Sequence, residues 1–179
     1  MFRHGLTLAS RNFLLGLLAL LAPAFAAWGE AVPEYALKAA FLYNFARFTE
    51  WPAQPPAQEF NLCIYGKNPF GERLDTIAGK PLHGNPVRIV LPDTLDSLGG
   101  CHILFIAESA LPSLPRVLAA LDGRAVLTVA EGEGRVEQGI MVGLLLEGSR
   151  VAFEVNLSAL RHSGISVSAQ LLQLSRRVQ

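Results

Sequence analysis

The sequence is 179 residues long, 51% hydrophobic and only 17% charged, with 15 basic and 15 acidic side chains and no formal net charge. That is enough chain for one ordinary domain with a real core. No basic stripe points to nucleic acid, and past the first residues no long apolar segment points to a membrane span.

The first elements form a leader. Arg3, His4 and Arg11 precede the apolar run Phe13–Ala22, Pro23 ends it, and Ala24-Phe25-Ala26 is a small-x-small cleavage site. This three-part order predicts a secretory signal peptide over residues 1–26, cut after Ala26, and one domain over residues 27–179. A membrane anchor would need roughly 20 apolar residues, about twice this run. Arg3 and Arg11 leave with the leader and no acid does, so the exported part is slightly acidic. An exported chain meets oxidising conditions. Its two cysteines, Cys63 and Cys101, therefore read as one disulfide, with two buried free thiols as the alternative.

Residues 34–48 read as a helix started by Pro33. At about 100° per residue its side chains fall on two unlike faces. Leu37, Phe41, Phe45 and Phe48 form a bulky stripe, expected to pack on a sheet. Ala36, Ala39, Ala40 and Tyr43 form a smaller one. Either both stripes pack inside the monomer, or the one carrying Ala36, Ala40 and Tyr43 meets a partner or a second copy of the chain. Trp51-Pro52 stops the helix, and Ala53–Gln58 reads as an extended connector.

Strands follow at Phe60–Tyr65, Val87–Leu91, Cys101–Ile106 and Ala125–Val129. Short helices over Pro69–Ile77 and Leu114–Leu121 separate them. Alternation of this kind predicts an α/β fold with a mainly parallel sheet and helices on both faces. Ile140–Leu146 and Arg150–Asn156, joined by Glu147-Gly148-Ser149, read as a C-terminal antiparallel hairpin. A turn or two of helix over Ser158–Ser163, an extended Ile165–Val167, and a last helix over Ala169–Val178 capped by Ser168 complete the chain.

Chemical motifs are sparse. Gly66-Lys67-Asn68-Pro69-Phe70-Gly71 sits where a phosphate loop would, but Glu72 and Arg73 replace the Lys and Ser/Thr such a loop needs, so it reads as a turn. Gly132-Glu133-Gly134 also reads as a turn, because Glu131 beside it would repel phosphate. Ser109 lacks the flanking glycines of a nucleophile elbow. His83, His102 and His162 lack metal-ligand spacing, and His102 reads as a hydrogen-bonded structural residue. Asn156 matches a glycosylation sequon but suits helix capping better. Nothing around Glu131 and Glu133 suggests a pocket, and Glu147 and Glu154 read as solvated. No catalytic residue, metal site or cofactor is expected, and the chain does not read as an enzyme.

Three stretches carry a resemblance: Tyr35–Pro52, Cys101–Ile106, and Arg150–Leu157 with Gly164–Ser168 and Leu171-Leu172. In this order, over nearly all of the exported chain, they resemble the YfiR-like periplasmic proteins. The resemblance implies a Rossmann-like three-layer sandwich without enzymatic activity. It also implies a periplasmic repressor that holds an inner-membrane diguanylate cyclase inactive through its periplasmic domain, lowering cyclic di-GMP and biofilm formation. An outer-membrane lipoprotein relieves the best-known member by sequestering it. Related domains resemble sensory inputs. Cys63 and Cys101 match one of that member's two cysteine pairs; the other is missing here. Gln138-Gly139-Ile140 has one glycine where relatives often have two, and Ala169 and Gln170 replace a commoner serine and basic residue. A second possibility is a small-ligand sensor or binding domain using the crevice at the strand C-termini, where open α/β sheets usually bind.

Overall fold

The structure is a computed structural model that describes residues 33–52, 58–148 and 150–179. These fall in one compact unit, Val32–Gln179. The expected signal peptide lies outside the described residues, as does most of the Ala53–Gln58 connector.

Helix α1 (Glu34–Arg47) has Pro33 at its N-cap, Glu34 in its first turn and Arg47 in its last, charges that complement the helix dipole. Strand β1 (Thr49–Glu50) follows, then β2 (Phe60–Tyr65), a 3₁₀ turn (Gly71–Thr76), β3 (Pro81–Leu82), β4 (Asn85–Val90) and β5 (Ile103–Ile106). Helix α2 (Leu114–Ala120) leads to β6 (Leu127–Glu131), β7 (Val142–Glu147) and β8 (Arg150–Val155). The chain closes with α3 (Leu157–His162), β9 (Ser166–Val167), α4 (Ala169–Leu174) and β10 (Arg177–Val178).

The main sheet has the order β10-β8-β7-β6-β5-β2-β4-β3. The run β4-β2-β5-β6-β7 is parallel throughout. β7–β8 is the expected antiparallel hairpin, and Glu147 pairs with Arg150, so the connection is two residues rather than three. β1 and β9 form a separate antiparallel pair.

Alternate residues of the central strands feed two apolar layers, as strands covered on both faces require. Leu62, Ile64, Ile103, Phe105, Leu127 and Val129 join Ala39, Leu42 and Phe45 of α1, with Leu160 of α3 and Leu171 of α4. Cys63, Leu104, Ile106 and Ala130 join Leu114 and Val117 of α2 on the other face. The result is the expected three-layer α/β sandwich. Cys63 of β2 and Cys101, just before neighbouring β5, are disulfide-bonded with Cα atoms 5.8 Å apart and a sequence separation of 38. The chain-entropy model gives such a bridge about 4 kcal/mol.

Several expectations need correction. The buried stripe of α1 is Lys38, Ala39, Leu42, Phe45 and Ala46. Only Phe45 of the expected bulky stripe lies fully inside, and Ala39 is core. Small side chains let the helix sit close to the sheet, while Phe41 and Phe48 cover its flank half-buried. Phe41 and Phe45 both meet Phe153, at centroid distances of 6.1 and 5.0 Å. The last helix ends at Leu174, and Arg177-Val178 instead pairs in parallel with β8. Glu154 is buried, not solvated, and meets Arg177 at 3.0 Å. Pro69–Ile77 holds 3₁₀ rather than α-helical structure.

Candidate functional site

The chain leaves β2 to build β4 on one side, then crosses back to build β5 on the other. Loops leaving the C-terminal ends of β2 and β5 therefore diverge, and that divergence opens a crevice. A cavity of about 420 Å³ occupies it, lined by Lys67, Asn68 and Pro69 after β2, Phe105, Ala107, Glu108 and Ser109 at and after the end of β5, and Glu131, Gly132 and Arg135 at and after the end of β6, with Tyr35 of α1 as a wall. This volume falls among small-molecule sites.

The loops are locked to one another. Gly66 has φ +98°, and a Cβ there would lie 2.8 Å from Ser109 Oγ, so only glycine lets this loop cross so close. Lys67 N donates to Ser109 Oγ at 2.8 Å, and Phe70 N donates to Asn68 Oδ1 at 2.9 Å. Arg135 Nε donates to the Glu131 carbonyl at 2.9 Å and its Nη1 to Gln138 Oε1 at 3.0 Å. Its guanidinium lies against Gly132, where a Cβ would come within 3.1 Å of Nη2.

Behind the crevice lies a buried cation. Lys38 has no solvent exposure, and its ammonium donates to Glu34 and to Glu131 Oε1. Tyr35 Oη donates to Glu131 Oε2 at 3.4 Å. Burial works to lower the Lys38 pKa, but the hydrogen bonds and charges of Glu131 and Glu34 outweigh it and hold the ammonium above the ordinary lysine value. Burial, then the Glu131 charge, raises the Tyr35 phenol. Glu131 was expected to repel anions; its two oxygens are instead taken up by Lys38 and Tyr35.

Three segments that read as separate turns or failed motifs, around Lys67, Ser109 and Glu131, thus converge, and the expectation of no pocket near Glu131 is wrong. Sequence reasoning passed over Tyr35, Lys38 and Arg135. The signal for Lys38 was present: it follows Glu34 by four residues and lies on the same face as Leu42 and Phe45. Ser109 Oγ has no histidine or carboxylate partner among the described residues. No group of three potential metal ligands occurs among the described residues.

The other singled-out residues lie elsewhere. Of the proposed contact stripe, Ala40 is exposed and Ala36 and Tyr43 are half-buried; Tyr43 Oη donates to the Pro81 carbonyl at 2.9 Å. Asn156 caps α3, its Oδ1 accepting from Ala159 N at 2.8 Å while its Nδ2 donates to the Val136 carbonyl at 2.8 Å. His102 precedes β5 and its Nδ1 accepts from Asn61 N at 3.0 Å, the structural role expected of it. It stacks on Phe60 at 4.6 Å, beside Trp51 and near His83, at the opposite ends of the strands from the crevice. His162 meets Asp122 at 2.8 Å on the surface.

Fold and crevice together define a three-layer α/β domain with a ligand-sized opening at the switch point of its sheet. The profile of the YfiR/HmsC-like family matches residues 35–176, and the chain belongs to that family. Two solved structures are similar. A conserved domain protein from Vibrio cholerae O1 biovar El Tor strain N16961 shares 11% identity at a TM-score of 0.55, over 82% of this chain and 60% of its own. An ABC domain in complex with L-Trp from Streptococcus pneumonia shares 8% identity at a TM-score of 0.48, over 67% of this chain and 55% of its own. The chain thus spans less than two thirds of either one.

Proposed function

We propose that this chain is exported, loses residues 1–26, and acts in the periplasm as a non-catalytic regulator. In this reading it binds the periplasmic domain of an inner-membrane diguanylate cyclase and holds the enzyme inactive, lowering cyclic di-GMP and biofilm formation. An outer-membrane lipoprotein that sequesters it would relieve the repression. Family membership over residues 35–176 carries the reading. The Cys63–Cys101 disulfide suits an oxidising compartment, and no helix among the described residues is long and apolar enough to cross a membrane. The outer side of α1, with Ala40 exposed between half-buried neighbours, is the proposed contact surface for the cyclase or for a second copy. Affinity purification of the exported protein from envelope membranes tests this. The expected companion is an inner-membrane protein carrying a diguanylate cyclase domain, and recovery without one contradicts it.

The cavity favours a second reading on its own observation. A ligand-sized opening at the strand C-termini suits a small-ligand sensor or binding domain that feeds another signalling protein. The two are compatible, because Tyr35 of the crevice wall, Lys38 behind it, and Ala36, Ala40 and Tyr43 of the proposed contact surface share one helix.

A further inference from the structure

The chemistry of the crevice goes beyond its existence. Its acid on the inner wall, Glu131, is already bonded through both carboxylate oxygens, to Lys38 and to Tyr35 Oη. The hydrogen-bonding capacity left unused by side-chain or backbone partners among the described residues is mostly that of donors. Lys67 makes no ion pair there, Asn68 Nδ2 and Arg135 Nη2 make no hydrogen bond, and Ser109 Oγ accepts from Lys67 N with its own proton still to donate. Two of the four carry full positive charge, and they come from loops on different strands. Between them lie the apolar surfaces of Tyr35, Pro69, Phe105 and Ala107. Glu108 is the one opposing feature. It is exposed, so water screens its charge.

We propose that this crevice binds a small organic anion, its carboxylate or phosphate oxygens held by Lys67, Arg135, Ser109 and Asn68 and its apolar body against Tyr35, Pro69 and Phe105. The inference rests on the small-ligand reading above and adds the class of ligand. Charge-assisted hydrogen bonds from lysine and arginine to such oxygens are the strong kind, and a volume of about 420 Å³ takes a ring with one anionic head. The Lys38–Glu131 pair is the positioning element, because without Lys38 the Glu131 charge would face the same space.

Four probes of one shape and different heads test it: phenyl phosphate, benzoate, benzylamine and benzyl alcohol, titrated calorimetrically into the protein. Phenyl phosphate and benzoate should bind and benzylamine should not, and the tighter of the two anions distinguishes phosphate from carboxylate recognition. Lys67→Ala, at an exposed position, should weaken the anion about tenfold with its melting temperature unchanged. Glu108→Gln should tighten it about twofold by removing a screened like charge. Benzylamine or benzyl alcohol binding as well as benzoate, or anion binding indifferent to Lys67→Ala, would overturn the anion class and leave the small-ligand reading standing. Failure of all four probes to bind would overturn both.

Discussion

A lysine on the inner face of a helix persists only when its charge is met, and Lys38 is met by Glu34 four residues back and by Glu131 at the end of β6. Removing one member of a buried ion pair leaves the other charge uncompensated, typically at 3–5 kcal/mol. Here the side chains of Glu34 and Glu131 remain 40% and 35% exposed, so water recovers part of that. Lys38→Met should cost about 2 kcal/mol in urea unfolding, and an unchanged midpoint would show that the pair contributes nothing. His102 gives a pH signature. Burial, then the nearby His83, lowers its pKa below the ordinary 6.5, so the folded state prefers the neutral ring. Its contribution is complete above about 6.5 and is lost as pH falls from there toward the depressed folded value. Melting temperature should therefore drop between pH 7 and 5, and His102→Gln, which retains an acceptor for Asn61 N, should drop less. Parallel pH profiles for the two proteins would contradict this.

At the scale of elements, α1 was legible as a helix and mis-oriented as a surface. Bulk was a poor guide because Ala39 and Ala46 let the backbone approach the sheet, which turned Phe41 and Phe48 to the flank. The exposure of Ala40 makes Ala40→Gln a clean probe. Its stability should change by no more than about 0.5 kcal/mol, as for other surface substitutions, while co-purification with the cyclase falls. Equal co-purification would remove this stripe from the proposed interface. Strand β5 stood out because Ile103–Ile106 is a continuous apolar run, as a strand covered on both faces requires. β3 was missed because two residues carry no period, and its hairpin turn is His83-Gly84, both with positive φ, where Asn, Asp or Gly more often precede the glycine. β10 was missed because its residues extend a plausible helix. The crevice was missed for a different reason. Its walls lie up to 100 residues apart in sequence, from Tyr35 to Arg135, and each loop alone resembles an ordinary turn. Only the strand order brings Lys67, Ser109 and Glu131 together.

For the whole molecule, one scaffold carries two surfaces joined by α1. The start of that helix walls the crevice through Tyr35 and holds Glu131 through the buried Lys38, and its outward side carries the proposed contact stripe. A ligand that firms the crevice would act on the same helix that carries the proposed contact stripe, which makes a small-molecule input to a protein–protein regulator physically simple. Family membership argues for the regulator and the cavity for the input. The measurement that bears most directly on the regulator is cellular cyclic di-GMP in a strain that normally expresses this protein, with the gene intact or deleted, and with the partner cyclase present or absent. Deletion should raise the nucleotide only while the cyclase is present. An unchanged level, or a rise that persists without the cyclase, would contradict repression by this chain.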